Sequence, residues 1–323
     1  MNLTLLHKQF GTQEKCISYL EKTRWNKKPL CLHCNSKNVK KRAKSIRWHC
    51  NACNKDFSVL MGTIFEGTRL PLPKFFEIMF LMNNAKMGIS ASEIARLVGV
   101  KYQTAWFACH KTRCAMIDNE LKLEGMVEFD EAYIGSKKKK KSELTENEAN
   151  LSKITSKRGR GTNKTPIVGA VEKKGRVYVK IIEKLTGRNL LAMLRDKVDV
   201  DSSIVFTDDF RSYKQFDKAV EHITIKHSEG YGKGVKTINT IEGFWSIIKN
   251  GIKGSYRSVS KKYLPFYLAE FSYKYNNRHL QKDAFTKLLE NAVKDENCLL
   301  NYKPKGNPRE IVARQRKCKT VMS

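Results

Sequence analysis

The period of the apolar positions changes several times along the chain, and each change predicts an element. Ser45-Ile46-Arg47-Trp48-His49 alternates with the two-residue period of a strand, and Asp56-Phe57-Ser58-Val59 reads as its hairpin partner. After the Pro71-Leu72-Pro73 break, Phe75, Phe76, Ile78, Met79, Phe80 and Leu81 predict a buried helix. Ser90-Ala91-Ser92-Glu93 has the spacing of a capping box, where a hydroxyl and a carboxylate satisfy N–H groups at a helix start. It opens a helix through Ile94, Ala95, Leu97 and Val98; Gly99 turns the chain, and Tyr102-Gln103-Thr104-Ala105-Trp106 begins another helix. Helix, glycine turn and polar-faced second helix follow the pattern of a helix-turn-helix.

The texture changes from about residue 122. Met126–Asp130, Ile167–Val171 and Val177–Ile182 read as strands, followed by a helical stretch from Asn189 to Val198. Ser203–Thr207 and His222–Ile225 complete five strands. Strands in succession, then strands alternating with helices, predict an α/β sheet of mixed direction. Between the first two strands lies a basic, low-complexity stretch from Lys137 to Lys164, with five consecutive lysines. The domains expected are a small β ribbon over 1–60, a helical segment over 61–120, an α/β domain over 121–285 and a poorly ordered basic tail over 286–323.

Composition narrows the partners. Lys and Arg total 62 against 32 Asp and Glu, a net charge of +30, while 41% of the residues are hydrophobic. That hydrophobic share supports a packed core, and the charge excess points to a polyanion such as DNA. The first residues lack the basic-then-apolar pattern of a secretory signal, and no run approaches the ~20 apolar residues that span a bilayer. The expectation is a cytoplasmic, DNA-associated protein with reduced thiols and no membrane partner. Cysteine in such a compartment points to metal rather than to disulfides.

Of nine cysteines, Cys31, Cys34, Cys50 and Cys53 stand as two C-x-x-C knuckles fifteen residues apart. Four thiolates close a tetrahedral Zn²⁺ site, leaving no open position, so the role predicted is structural. A mixed site using His33 or His49 is the rival arrangement. Cys16, Cys109, Cys114, Cys298 and Cys318 are scattered and read as small core or surface residues.

The carboxylates carry the chemistry. Glu128 and Asp130 share one face of the first strand, Asp208 and Asp209 close the fourth, and Glu242 lies on a predicted helix. Lys249 is seven residues on from Glu242, two helical turns, and points the same way. Carboxylates at the ends of central strands, with one on an approaching helix, can hold two divalent cations such as Mg²⁺ or Mn²⁺. The order is that of an RNase H-like sheet.

These residues carry a resemblance. The chain resembles the zinc-ribbon insertion-sequence transposases of the IS-fifteen-ninety-five, or ISXO-two-like, family from Trp25 to about His279. The stretches involved include Gly62-Thr63-Ile64-Phe65-Glu66, Gly88-Ile89-Ser90-Ala91 and Glu128-Phe129-Asp130-Glu131-Ala132-Tyr133-Ile134-Gly135. Further on come Thr207-Asp208 with Tyr213, Asn239 with Glu242-Gly243-Phe244-Trp245-Ser246 and Lys249, and Tyr275-Asn276-Asn277-Arg278. The resemblance implies an RNase H-like fold and a DDE triad on Asp130, Asp208 and Glu242, with Lys249 as the basic residue two turns on. The chain has Asp209 where the family usually has a small residue, so Asp209 is an alternative to Asp208. Asn239 is the alternative to Glu242.

The function expected is a DNA transposase: it binds terminal inverted repeats, cleaves there and joins 3′ hydroxyls to target DNA, as a homo-oligomer on DNA. A DNA-binding regulator with an inactive nuclease domain and an RNase H-like junction resolvase are the alternatives. In the second helix of the helix-turn-helix, Lys101, Gln103 and Thr104 are expected near base edges or phosphates, and Lys111 and Arg113 on the DNA backbone. Trp106 is expected in the core.

Overall fold

The computed structural model describes residues 2–26, 28–43, 45–135, 164–225, 237–280 and 283–294. All of the expected basic loop except Lys164, and most of the expected tail, lie outside them. The described residues form two compact units, those up to Ile117 together with those from Asn277 to Lys294, and those from Asp118 to Asn276. The ribbon and the helical segment thus share one unit, and the boundary after the sheet falls at Asn276 rather than at residue 285.

The first unit opens with two helices that the strand pattern of the ribbon did not foreshadow, α1 (Leu3–Phe10) and α2 (Gln13–Trp25). Asn2 and Thr12 cap them, their side chains accepting from the N–H groups of Leu5 and Lys15. Strands β1 (Val39–Lys41), β2 (Arg47–Cys50) and β3 (Lys55–Ser58) follow as an antiparallel meander in which Trp48 faces Phe57. Trp25 packs edge-on against both rings, 6.0 Å from Trp48 and 5.9 Å from Phe57, which ties α2 to the ribbon. Helix α3 (Leu72–Asn84) buries Phe75, Phe76, Ile78, Met79 and Phe80, as its pattern predicts, while Leu81 is half-buried and Met82 takes the interior position. Helices α4 (Ala91–Val98) and α5 (Tyr102–Ala115) complete the N-terminal part.

The second unit is built on β4 (Leu123–Ile134), β5 (Thr165–Glu172), β6 (Val177–Ile181), β7 (Val198–Thr207) and β8 (Glu221–Thr224). Their order across the sheet is β6-β5-β4-β7-β8. The β4–β5 and β5–β6 pairs are antiparallel, and the β4–β7 and β7–β8 pairs parallel. This is the mixed sheet of an RNase H-like fold. Helix α6 (Gly187–Lys197) crosses between β6 and β7, and a 3₁₀ helix, Arg211–Lys218, between β7 and β8. Strand β7 begins at Val198, five residues before the alternation at Ser203 announced it.

Helices α7 (Asn239–Gly251) and α8 (Leu264–Asn276) cover one face, joined through a π-helical turn, Ile252–Tyr256. Ile241, Phe244, Trp245 and Ile248 recur at helical spacing on α7 and are buried with Leu268 and Phe271. Each such side chain contributes about 1.5–3 kcal/mol of burial free energy. Val127, Phe129, Leu190, Leu194, Tyr213 and Phe216 fill the opposite face.

The chain then returns to the first unit as α9 (Ala284–Ala292), in the stretch where a poorly ordered tail was expected. Phe285, Leu288, Leu289 and Ala292 are buried, and the Phe285 ring packs 5.5 Å from Phe80. The apolar spacing of these residues makes the helix; the basic composition farther along masked it. Among the described residues no helix is long and apolar enough to cross a membrane.

Candidate active site and metal centres

The two knuckles converge. Their four sulfurs lie within 4.8 Å of one another, with Cys31 Sγ 3.6 Å from Cys53 Sγ and Cys34 Sγ 3.6 Å from Cys50 Sγ. Four thiolates at ~2.3 Å from a tetrahedral Zn²⁺ stand about 3.8 Å apart, so the donors fit that ion. Each knuckle ends in an asparagine in the left-handed region, Asn35 at φ 57° and Asn54 at φ 53°, which turns the chain back beneath the second sulfur. The histidines stand aside: His49 Nδ1 is 2.8 Å from Asp56 Oδ1, and His33 Nε2 is 3.3 Å from the Asp56 carbonyl oxygen.

Helix α4 is capped at both ends before the chain enters α5. Ser90 Oγ accepts from Glu93 N–H at 3.1 Å, and Gly99 leaves α4 at φ 66° with its N–H bound to the Ala95 carbonyl. Lys101, Gln103 and Tyr102 are exposed at the start of α5, and Thr104 is half-buried. The expectation for Lys111 and Arg113 is corrected. They are only 3% and 2% exposed, because the C-terminal half of α5 is packed on all sides. The Lys111 ammonium donates to the Glu66 carbonyl at 2.6 Å and lies over the Phe107 ring, and burial holds its pKa below the ordinary lysine value. Both side chains are turned into the packed interior rather than to the surface. Trp106 is half-buried against His110, with ring centroids 4.3 Å apart.

Register builds the carboxylate site. Strand β4 runs parallel to β7 with Glu128 opposite Phe206, so Asp208, two residues on, stands level with Asp130 on the neighbouring strand. Adjacent strands lie ~4.8 Å apart, which brings the two side chains together at the end of β7. Asp208 is held by the Phe210 N–H, which donates to Oδ1 at 3.1 Å. Asp130, Glu131 and Asp208 each offer an oxygen within 4.8 Å of the others. A Mg²⁺ ion bound at ~2.0–2.1 Å requires ligand oxygens roughly 3–4 Å apart, so a small contraction would seat it.

Glu131 is the residue that the spacing argument missed. Alternation places it on the face opposite Asp130, yet β4 continues past its last pair with β7, and the Asp208 carboxylate meets both. Tyr213 O–H donates to Glu131 Oε2 at 3.0 Å. The signal was in the Asp130-Glu131 doublet, but only the strand edge gives it meaning. Glu242 stands apart, exposed on the first turn of α7 and outside that group, as do Asn239 and Asp209, which are also exposed.

Helix α7 is nevertheless bound to the site twice. Trp245 Nε1 donates to Asp130 Oδ2 at 2.9 Å. Its indole crosses β5 at Gly169, the residue paired with Asp130; a Cβ there would sit 2.6 Å from the ring, so glycine is required. The fully buried Glu128 carboxylate accepts from the Ile241 N–H and from the Thr240 hydroxyl, both at 2.9 Å, with the Lys173 ammonium 3.7 Å away. Helix α7 lacks a side-chain cap of its own, so a strand carboxylate caps it. Burial raises the Glu128 pKa, against these donors.

Burial, and after it the Glu131 charge, pushes the Asp130 pKa up to about 7; the Trp245 N–H opposes the shift and Asp208 adds to it. Half-buried carboxylates crowded together are a natural cation site. Lys249 lies on the exposed side of α7 and, with Glu131, lines a groove of about 610 Å³.

The comparisons agree with the architecture. Residues 122–276 match the ISXO2-like transposase domain, and residues 11–56 the transposase zinc-ribbon domain. An uncharacterized protein in transposable element ISH50 of Halobacterium salinarum is 26% identical over 297 residues, 88% of this chain and 99% of that protein. An uncharacterized transposase-like protein of Haemophilus influenzae is 32% identical over 109 residues, 33% of this chain and 87% of that protein. A transposase zinc ribbon with converging thiolates, followed by an RNase H-like sheet carrying clustered carboxylates, places the chain in the ISXO2-like transposase family.

Proposed function

We propose that the protein binds the terminal inverted repeats of its own element, cleaves the DNA there and joins the resulting 3′ hydroxyls to target DNA. The observation that carries this reading is the register of β4 against β7, which brings Asp130 and Asp208 together at the strand ends. Asp130 and Asp208, with Glu242 drawn in from α7, would hold two Mg²⁺ or Mn²⁺ ions. When bound, such ions favour the deprotonated nucleophile and stabilise charge on the leaving oxygen. Trp245 keeps Asp130 aimed into the site, and Glu128 anchors the N-terminus of α7, the helix that carries Glu242, to β4. Lys249 would hold a backbone phosphate rather than act as a base. The exposed start of α5, with Lys101, Gln103 and Thr104, would read the repeats, the ribbon would be held by Zn²⁺, and the active species would be a homo-oligomer on DNA in the cytoplasm.

A second assignment of the third ligand has its own support: Glu131 already stands within the cluster. The test is cleavage and strand transfer on end-containing DNA with Mg²⁺ or Mn²⁺. Asp130→Asn and Asp208→Asn should abolish both steps and leave end binding nearly intact, while Asp209→Asn should be mild. Loss in Glu242→Gln with activity in Glu131→Gln assigns the third ligand to Glu242; the reverse assigns it to Glu131. Robust transfer by both variants with loss in Asn239→Ala would move it to Asn239. Full activity in Asp130→Asn would refute the reading as a whole.

A further inference from the structure

Besides Glu131 the groove is basic: Lys164, Lys249, Lys253 and Arg257 line it, with Tyr133. A basic wall alone is usually a solvated face. Arg257 is different. It sits at φ 62° and ψ −54°, and the Ser258 N–H donates to the Tyr256 carbonyl across it at 2.7 Å. That is a three-residue γ-turn of the strained, positive-φ kind, costly for any residue with a Cβ. The turn is braced from behind. Tyr256 O–H donates to Glu270 Oε1 at 2.7 Å, and the fully buried Glu270 also receives the Lys274 ammonium. Packing therefore holds an arginine where glycine would be unstrained, in the wall of a groove that Glu131 of the carboxylate cluster also lines.

We propose that this groove binds the phosphate backbone of a single DNA strand, splayed from its duplex next to the phosphate being cut, and that Lys253 and Arg257 are positioning residues for it. The proposal rests on the transposase reading and names how that site takes its substrate. Four cations face one carboxylate, so the complement is anionic. The volume of about 610 Å³ is that of a small-ligand site, room for about one or two nucleotides and none for a duplex. Cations beside an aromatic ring are the grip that proteins use on unpaired strands.

The test uses the full chain and needs no metal at first. Binding of a single-stranded oligonucleotide is measured against salt for wild type, Lys253→Ala, Arg257→Ala and Arg257→Lys. Each alanine variant should flatten the slope by about 0.7, one single-strand phosphate contact, and Arg257→Lys should restore it. Acetylation of Lys253 should be slowed by the single strand and not by a closed-ended duplex of the same length. Unchanged slopes, or equal protection by the closed duplex, would overturn the proposal. Arg257→Gly separates positioning from a structural role: its thermal midpoint should rise as the turn relaxes, while single-turnover cleavage falls on the order of tenfold or more. A glycine variant that cuts as fast as wild type defeats the proposal. Wild-type protein that binds ends yet never cuts them defeats the transposase reading instead, and the slope and acetylation results still decide the groove.

Discussion

Asp130 shows how one residue is tuned by its surroundings. In the unfolded chain it ionises like any aspartate; in the fold its pKa is about 7, from burial first and then from the Glu131 charge. The folded state therefore holds its proton over a window in which the unfolded state has lost it. From about pH 4 to 7 this residue makes the metal-free protein less stable as pH rises, and divalent ions should reverse the trend. Metal must displace that proton, so Mn²⁺ affinity should climb by up to ~tenfold per pH unit below about 7 and level off above it. Calorimetric titrations that find the same affinity at acidic and neutral pH would remove the assignment of Asp130 as a ligand. Glu128, two residues earlier, serves the fold. Glu128→Ala leaves the Ile241 N–H, the Thr240 hydroxyl and the Lys173 ammonium without their buried acceptor. Urea denaturation should show a loss of about 2–4 kcal/mol, largely recovered in Glu128→Gln, whose carbonyl still accepts.

At the scale of elements, the meeting of α7 with β5 decides the site. Gly169 lets the Trp245 indole cross the sheet to Asp130. Gly169→Val should cost about 1–3 kcal/mol by overpacking, shift the tryptophan fluorescence and weaken divalent binding, because Asp130 loses its N–H donor. Unchanged emission and metal affinity would mean that the indole does not orient Asp130. Helix α5 divides in two. Tyr102 and Gln103 at its start are exposed and its second half is buried, so Gln103→Ala should cost about 1–3 kcal/mol for cognate ends and little for random DNA. Equal loss on both DNAs would take base reading away from this helix.

Across the whole molecule, the two units should respond separately to loss of the ribbon metal. Closed thiolate sites supply folding free energy directly, so Cys50→Ser should lose one Zn²⁺ and unfold the ribbon, while the sheet unit keeps its cooperative melting transition. Elemental analysis with calorimetry reads both effects. Zinc at full stoichiometry in that variant would show that the four cysteines do not form the site.

Much of this was legible in the sequence because it is written in local pattern. The C-x-x-C spacing predicts converging sulfurs, and the alternation around Phe129 and the apolar run around Val168 predict strands. The apolar positions of α7 predict a docked helix, with Glu242 and Lys249 on one side of it. Alternation also put Glu128 and Asp130 on one face, where α7 meets both. Tertiary structure alone decided the rest, because register and packing are relations between distant segments. It set Asp208 level with Asp130, brought Glu131 into the cluster and left Glu242 outside it. Lys111 and Arg113 read as surface cations by their chemistry; which side of α5 is covered depends on the elements packed around it. Likewise the strain at Arg257 has no trace in the sequence, since an arginine beside a serine looks like any loop until buried neighbours fix its backbone.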